Sequence, residues 1–249
     1  SGTGHPYVLV DGIEMDLSDV NPNDIENISV LKDAAACAVY GARAAYGVIL
    51  VTTKRGQEGK ARVNYQGSVG WNSPTVLPDM LNAVDFANMW NDGCKNAGST
   101  RLYSTEKIGL LEQYIKDPSS VDPWQELPAN ANMNPAFENQ EKGIGNVDYF
   151  KLHYKDASFK QRHNLSVTGG GKAAQYYVSA GYYKEDGLLR YADINFERMN
   201  VSTNVTSQLT PWLKLKTALK FSHSNQNTPF GDGGLSDGFF HSLARFRPT

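Results

Sequence analysis

No run in the 249-residue chain approaches the roughly 20 apolar residues that a membrane helix needs, and the mean hydropathy is −0.46. A helical membrane protein is excluded, but a membrane barrel is not, because its strands alternate and its lumen is polar. Basic surplus is also missing, with 24 Lys and Arg against 26 Asp and Glu, which argues against a nucleic-acid partner. Cysteine is scarce: Cys37 and Cys94 stand far apart without metal-type spacing and read as structural. The five histidines, His5, His153, His163, His223 and His241, include no i, i+4 pair on a helix, so no metal or cofactor is expected. The opening SGTGHPY has neither a charged n-region nor an apolar h-region, so compartment cannot be read from a targeting segment.

Enzyme motifs are equally thin. Ser29-Val-Leu-Lys32 has the spacing of the penicillin-binding enzymes but lies in a short apolar strand without the accompanying SDN and KTG elements. Gly169-Gly170-Gly171-Lys172 is followed by Ala173, so the phosphate-loop spacing and its metal-binding hydroxyl are absent, and the segment reads as a hairpin turn. Asn27-Ile-Ser29 and Asn164-Leu-Ser166 have the form of glycosylation acceptors, a short pattern that carries little weight by itself. No enzymatic activity is expected.

What is present begins with a compact α/β pattern. Tyr7 to Val10 reads as a strand ended by the Asp11-Gly12 turn. Asn21-Pro22, followed by Asp24 and Glu26, reads as a turn opening one helical turn, with acids at its positive end. Ile28 to Leu31 is expected to be a short buried strand. Asp33 is placed to cap a helix from Ala34 to Tyr40, Gly41 stands where a left-handed C-cap is wanted, and Val48 to Thr53 is a further strand. Asp11, Glu14, Asp16, Asp19, Asp24 and Glu26 lack calcium-loop spacing and are expected on a solvated, turn-rich face.

After a polar connector at residues 57–61 the period changes to two. Val63, Tyr65, Val69 and Trp71 alternate with Arg62, Asn64, Gln66, Ser68 and Asn72. The device recurs around Leu165, around Tyr176 to Tyr183 and around Met199 to Val205. It is cleanest where Leu213, Leu215, Leu219 and Phe221 alternate with Lys214, Lys216, Lys220 and Ser222. The runs match the 9 to 11 residues a tilted membrane strand needs. A soluble β-sandwich would also alternate. The connections, however, run long (about 85 residues), short, long, short and long, which is the rhythm of an outer-membrane barrel.

The segments PYVLVDG, NPNDIENISVLKDA and YGARAAYGVILVTTKRG resemble the plug domain of TonB-dependent outer-membrane transporters of the SusC-like kind. HNLSVTGG, YYVSAGYYKEDGLL and TPWLKLKTALKFS continue the resemblance into the strands. Cys37, Ala42 and Tyr46 depart from it without removing a glycine or a charge. The resemblance implies an α+β plug domain followed by antiparallel strands of a large transmembrane β-barrel, incomplete here, with residues 1–58 as the C-terminal part of the plug and 59–249 as strands and external loops. Such transporters have about 22 strands, so the chain is expected to be an N-terminal piece of a longer protein. The expected function is TonB-dependent import of a nutrient, oligosaccharide or peptide, across the bacterial outer membrane, with TonB, a SusD-like lipoprotein and outer-membrane lipid as partners. A soluble secreted carbohydrate-binding module or hydrolase, or a siderophore or cobalamin receptor, stands as the alternative.

Arg43, Lys54 and Arg55 are candidate contacts between plug and barrel, because a plug that is held yet movable favours polar ties; for Arg43 a plain surface position is equally open. The long excursion carries helical patterns at Ala83 to Ala97, with Val84, Ala87, Met89 and Trp90 for one face, and at Thr105 to Ile115. Trp90 and Trp124 could stack on sugar rings, or could serve the small core of the loop itself.

Overall fold

The computed structural model describes residues 5–32, 39–44, 46–124, 143–228 and 242–248. The chain packs as two units, one made of residues up to Asn72 with Ser158–Gly187 and Ile194–Asn227, the other of Ser73–Ala157, Leu188–Asp193 and residues from Thr228 on.

The first unit holds two sheets. The smaller comprises β1 (Tyr7–Val10), β2 (Ile13–Glu14), β3 (Ile25–Leu31) and β4 (Val48–Thr53), in the order β2-β1-β4-β3. Asp11 (φ 51) and Gly12 (φ 90) make the two-residue hairpin between β1 and β2, as an Asp-Gly pair favours. β4 is central, parallel to β1 and antiparallel to β3. Its unbroken VILVT run suits a strand covered on both faces. Leu9, Ala44 and Val48 pack with Tyr7, Leu31, Tyr40 and Leu50 in one cluster; Val10, Val20 and Val51 pack with Val8, Met15, Ile25 and Ile49 in a second.

β3 corrects the expectation of a short buried strand at Ile28 to Leu31. It starts at Ile25 and lies at the sheet edge, with Ile28 and Val30 about half exposed. An apolar run marks a strand, but it does not say whether both faces of that strand are covered. The Pro22–Asp24 turn is a 3-10 turn capped by Asn21, whose side chain accepts from the Asn23 amide, as expected. The helix expected at Ala34 to Tyr40 lies largely outside the described residues. Gly41 has the left-handed φ anticipated for it, 69°, and Gly47, in the turn before β4, has a positive φ of 93° as well.

The larger sheet is an open antiparallel meander of β5 (Gly59–Asn72), β6 (Ser158–Gly170), β7 (Ala174–Asp186), β8 (Asn195–Thr210) and β9 (Leu213–Asn227). Its strands have 13 to 16 residues, longer than the alternation alone marks out, and β5 begins inside the stretch read as a connector. Only Pro211 and Trp212 separate β8 from β9, and three residues separate β6 from β7.

Register sorts the side chains. Asn64, Ser166, Ser179, Ser202 and Lys220 form one row across all five strands, and Gln66, Asn164, Gly181, Asn200 and Ser222 form the neighbouring row. On the opposite face Val63, Trp71, Leu219 and Phe221 are each more than 60 % exposed, and Tyr65, Leu165, Met199, Val201, Leu213 and Leu215 are also open. The sheet thus buries Asn164, Ser166, Ser179, Asn200, Ser202 and Asn204 and exposes its hydrophobic residues.

The second unit is helical. Asn82 caps α1 (Ala83–Asn96) and Ser104 caps α2 (Thr105–Lys116), within a residue of the expected bounds. Its core is Ala83, Ala87, Leu102, Tyr103, Leu111, Val121 and Ile144. The buried face of α1 is Ala83, Val84, Phe86, Ala87 and Cys94, so Met89, expected on that face, is half exposed instead. Asn91 ties α1 to the following loop, accepting from the Leu102 and Tyr103 amides and donating to the Tyr103 carbonyl. α3 (Tyr149–His153) follows, capped by Asp148. Among the described residues no helix is long and apolar enough to cross a membrane.

Candidate functional site

The polar face of the larger sheet is buried because the N-terminal lobe sits on it. Two carboxylates take part in the joining. Asp24, at the end of the 3-10 turn and 3 % exposed, accepts from the Tyr177 hydroxyl at 2.8 Å and the Ser179 hydroxyl at 2.7 Å, both on β7. Asp11, in the β1–β2 hairpin, pairs with Lys220 on β9. The same carboxylate accepts from the Thr53 amide at 3.0 Å and the Thr53 hydroxyl at 2.5 Å, so it ties the C-terminal ends of the parallel strands β1 and β4 to the large sheet.

Amides fill the space between these ties. Asn21 donates to Asn164 at 2.6 Å, Asn200 to the Asp19 carbonyl at 2.8 Å, and Asn204 to the Thr53 hydroxyl and the Lys54 carbonyl at 3.0 and 2.7 Å. Arg198 donates to the Ser18 carbonyl. Approach is close: a Cβ on Gly181 would lie 2.5 Å from the Asn21 side-chain nitrogen Nδ2, and one on Gly56 would lie 2.2 Å from the Tyr176 backbone nitrogen. Between the two carboxylates the seam is underpacked, with a cavity of about 190 Å³ bounded by Met15, Asp19, Val20, Asn200, Ser202 and Ser222.

Burial by itself pushes the Asp11 carboxyl up. Hydrogen bonds from Lys220 and from the Thr53 hydroxyl and amide, with the charge of Lys220, outweigh it and hold the group below its ordinary 3.8. In the second unit, burial pulls the Lys107 ammonium down to about 8, with help from the charge of Arg247.

The residues singled out in the sequence fall as follows. Lys54 meets the large sheet through its main-chain carbonyl, while its ammonium bonds the Asn23 carbonyl within the lobe. Arg43 pairs with Glu14 at 2.8 Å and lies over the Tyr7 ring, so these contacts are internal to the lobe. Arg55 is exposed beside Lys54. Trp90 packs on Phe86 and carries the Arg247 guanidinium over its ring, whereas Trp124 is 80 % exposed. The expectation that the six early acids share a solvated face is corrected for Asp11 and Asp24, which are the buried ties. Their signal in the sequence was indistinguishable from turn chemistry. Only the polar face of β6 to β9 gave notice that something polar had to cover it.

The comparisons agree with this arrangement. A family model described as the TonB-dependent receptor plug domain matches residues 1–48. TonB-dependent receptor SusC of Bacteroides thetaiotaomicron is 29 % identical over 261 aligned positions, covering 100 % of this chain and 22 % of the relative. TonB-dependent receptor P39 of Formosa agariphila is 26 % identical, covering 98 % and 20 %. Among solved structures, the RagAB peptide transporter superposes with a TM-score of 0.66 at 25 % identity, covering 89 % of this chain and 24 % of its own. The RagAB importer in its open-open state gives 0.66 at 27 %, covering 91 % and 25 %. The chain therefore spans about a fifth of the curated relatives it matches.

Fold, seam and relatives together liken the chain to one class: a TonB-dependent receptor plug domain with antiparallel barrel strands packed against it. Within that class it is similar to SusC and to the RagAB transporter, and the five described strands of its larger sheet do not close a barrel.

Two outcomes test the seam. Asp24→Ala orphans the Tyr177 and Ser179 hydroxyls, at about 1–3 kcal/mol for each buried group left unpaired. Hydrogen exchange in the purified full-length protein should therefore quicken across β1, β3 and β4, whereas Arg43→Ala, which breaks an exposed pair worth at most about 1 kcal/mol, should leave it unchanged. The Asp11 carboxyl, depressed when folded, stabilises the seam above the unfolded value of 3.8, and that contribution is lost as pH falls through the folded value. Protection at the Asp11–Thr53 junction should accordingly be flat near neutrality and fall in acid below about pH 4; Asp11→Asn should abolish this acid step.

Proposed function

We propose that the protein is an active importer of the bacterial outer membrane, in which the plug closes the lumen and TonB supplies the energy to displace it. The observation that carries this reading is the inverted sheet. Strands of 13 to 16 residues expose leucine, valine and aromatic side chains on one face and bury asparagine and serine under the plug on the other. A soluble sandwich buries the opposite face, so a secreted carbohydrate-binding module or hydrolase fits poorly. A lipid-facing exterior and a polar lumen fit well. No bond is broken in this reading; the seam holds and releases.

The cargo is a nutrient, oligosaccharide or peptide. The SusC-like resemblance supports the first, and the description of the RagAB neighbour as a peptide importer supports the second. Similarity to SusC and RagAB favours either over a siderophore or cobalamin. A SusD-like lipoprotein would partner the long excursion between β5 and β6. Of the two tryptophans, Trp124 is free to stack on cargo, whereas Trp90 is engaged with Phe86 and Arg247. Arg43 and Arg55 are left to meet wall strands beyond these five.

In cells carrying the full-length protein, deleting TonB or collapsing the proton gradient should abolish cargo accumulation and leave surface binding intact; uptake that persists without TonB would make the protein a passive pore. The lipid-facing assignment makes a separate claim. Leu219→Arg, near the middle of β9 and so of its membrane crossing, should cost about 2–4 kcal/mol and lower the folded, heat-modifiable form in outer membranes, while Lys216→Leu should assemble normally.

A further inference from the structure

We propose that the polar face of the larger sheet carries an anion-binding site, made by Arg162 and Arg198 on either side of Tyr183, and that this site selects cargo bearing a carboxylate. The inference rests on the import reading above and narrows the cargo class which that reading leaves open.

Register places the site. The row of Asn164 and Asn200 bonds the plug, and one step further along the same face Ser68, Arg162, Tyr183, Arg198 and Ser224 stand opposite one another across all five strands. That step leads toward Asn72 and Ser158, the strand ends from which the long excursion departs. Cover by the plug ends at this row. Arg198 still donates to the Ser18 carbonyl, but Arg162, two strands away, is exposed, and its guanidinium makes no hydrogen bond among the described residues. In the import reading, a molecule that comes down from the long-loop side meets Arg162 beside the plug, before any part of the seam is disturbed.

Charge is out of balance there. Lys160, Arg162 and Arg198 share this end of the face with one acid of the sheet, Glu185. Neutral donors hold that acid: the Tyr183 hydroxyl reaches one oxygen, and Asn72 donates to the other at 2.6 Å. In the adjoining plug turn Asp16 accepts from the Ser18 amide, and neither it nor Asp19 forms an ion pair with an arginine among the described residues. Pinning the hydroxyl also fixes the Tyr183 ring, and the Arg162 guanidinium lies over it, 5.0 Å from the centroid. Stacking uses a face of the guanidinium and leaves free its N–H edge, which grips a carboxylate through two parallel bonds. Arg198 gives one N–H to Ser18, and its Nε has no partner among the described residues. With adjacent strands about 4.8 Å apart, the two arginines leave the backbone about 10 Å from each other across Tyr183, so both long side chains can reach one carboxylate. Like charges at that spacing repel, and an anion between them removes the repulsion. A neutral sugar brings no such gain. The group to be held is therefore a carboxylate, from the terminus or an acidic side chain of a peptide or from a uronate of an oligosaccharide.

Uptake selectivity in cells carrying the full-length protein tests this. The cells are offered a tryptic peptide pool, an oligogalacturonate pool and a neutral dextrin pool, the first two as free acids and as methyl esters, and depletion that requires the protein is read by mass spectrometry. Uptake of the free acid should exceed that of its ester by about tenfold or more, the factor expected for hydrogen bonds to a charged group. Whichever pool shows the difference identifies the source of the carboxylate. Arg162→Gln should raise the half-saturating concentration of the acid by a similar factor while leaving the maximal rate and the uptake of the ester unchanged, and Arg162→Lys should restore part of the loss. The folded, heat-modifiable form of Arg162→Gln should match the wild type, since the guanidinium bonds nothing in the seam. Equal uptake of acid and ester, uptake confined to the dextrins, or indifference to Arg162→Gln would overturn the site, and if that uptake still requires TonB the import reading stands. No TonB-dependent uptake of any pool would overturn both.

Discussion

A polar sheet face can be buried only if whatever covers it answers its hydrogen-bonding groups, and this condition governs the molecule. β6 to β9 present asparagine, serine, tyrosine and lysine to the plug, and an unanswered buried group costs about as much as a typical hydrogen bond contributes, or more. The plug meets most of the demand with two carboxylates, an asparagine cap and several main-chain carbonyls, leaving the Ser202 hydroxyl without a partner among the described residues. Its own hydrophobic clusters, around Leu9 and Val10, stay inside the small sheet. The plug is therefore self-contained as an apolar object and polar as a partner.

That division bears on the proposed displacement of the plug. An interface closed by apolar burial exposes hydrophobic area when it opens, at about 25 cal/mol per Å². An interface closed by hydrogen bonds exchanges them for bonds to water, with a small net cost per bond. The plug–wall contact is of the second kind almost throughout. The hairpin turn at Asp11 and the 3-10 turn at Asp24 concentrate its firm points where backbone geometry is already fixed by Gly12 and Pro22.

The strands were legible in the sequence because alternation is a local property: each of Leu213, Lys214, Leu215 and Lys216 declares its face through its neighbours. The helices of the excursion were legible for the same reason, through Asn82 and Ser104 caps and apolar spacing. What escaped was non-local. Asp11 and Asp24 look like ordinary turn acids, and only the fold brings Lys220, some 209 positions away, and Tyr177, some 153 away, to meet them. Met89 was placed on the wrong face because the packing partner of α1, the loop at Leu102 and Tyr103, is fixed by Asn91 and not by apolar spacing. Ile28 and Val30 announce a strand but not its place at the sheet edge.

The same alternation that builds the seam builds the exterior, so the two cannot be altered independently. Pairing such as Ser179 with Ser202 and Ser202 with Lys220 fixes a row on the plug side and, one residue along, Ala180, Val201 and Phe221 on the other. A register slip of one residue in β8 would turn Ser202 and Asn200 outward and Val201 and Met199 toward Asp24, failing both faces at once. Long pairing with few irregularities, of which β8–β9 has a single shift near Thr210, is how the sheet guards against this. The plug contributes to the same end, since Asn21, Asp24 and Asp11 find their partners on β6, β7 and β9 only when all three strands are in phase.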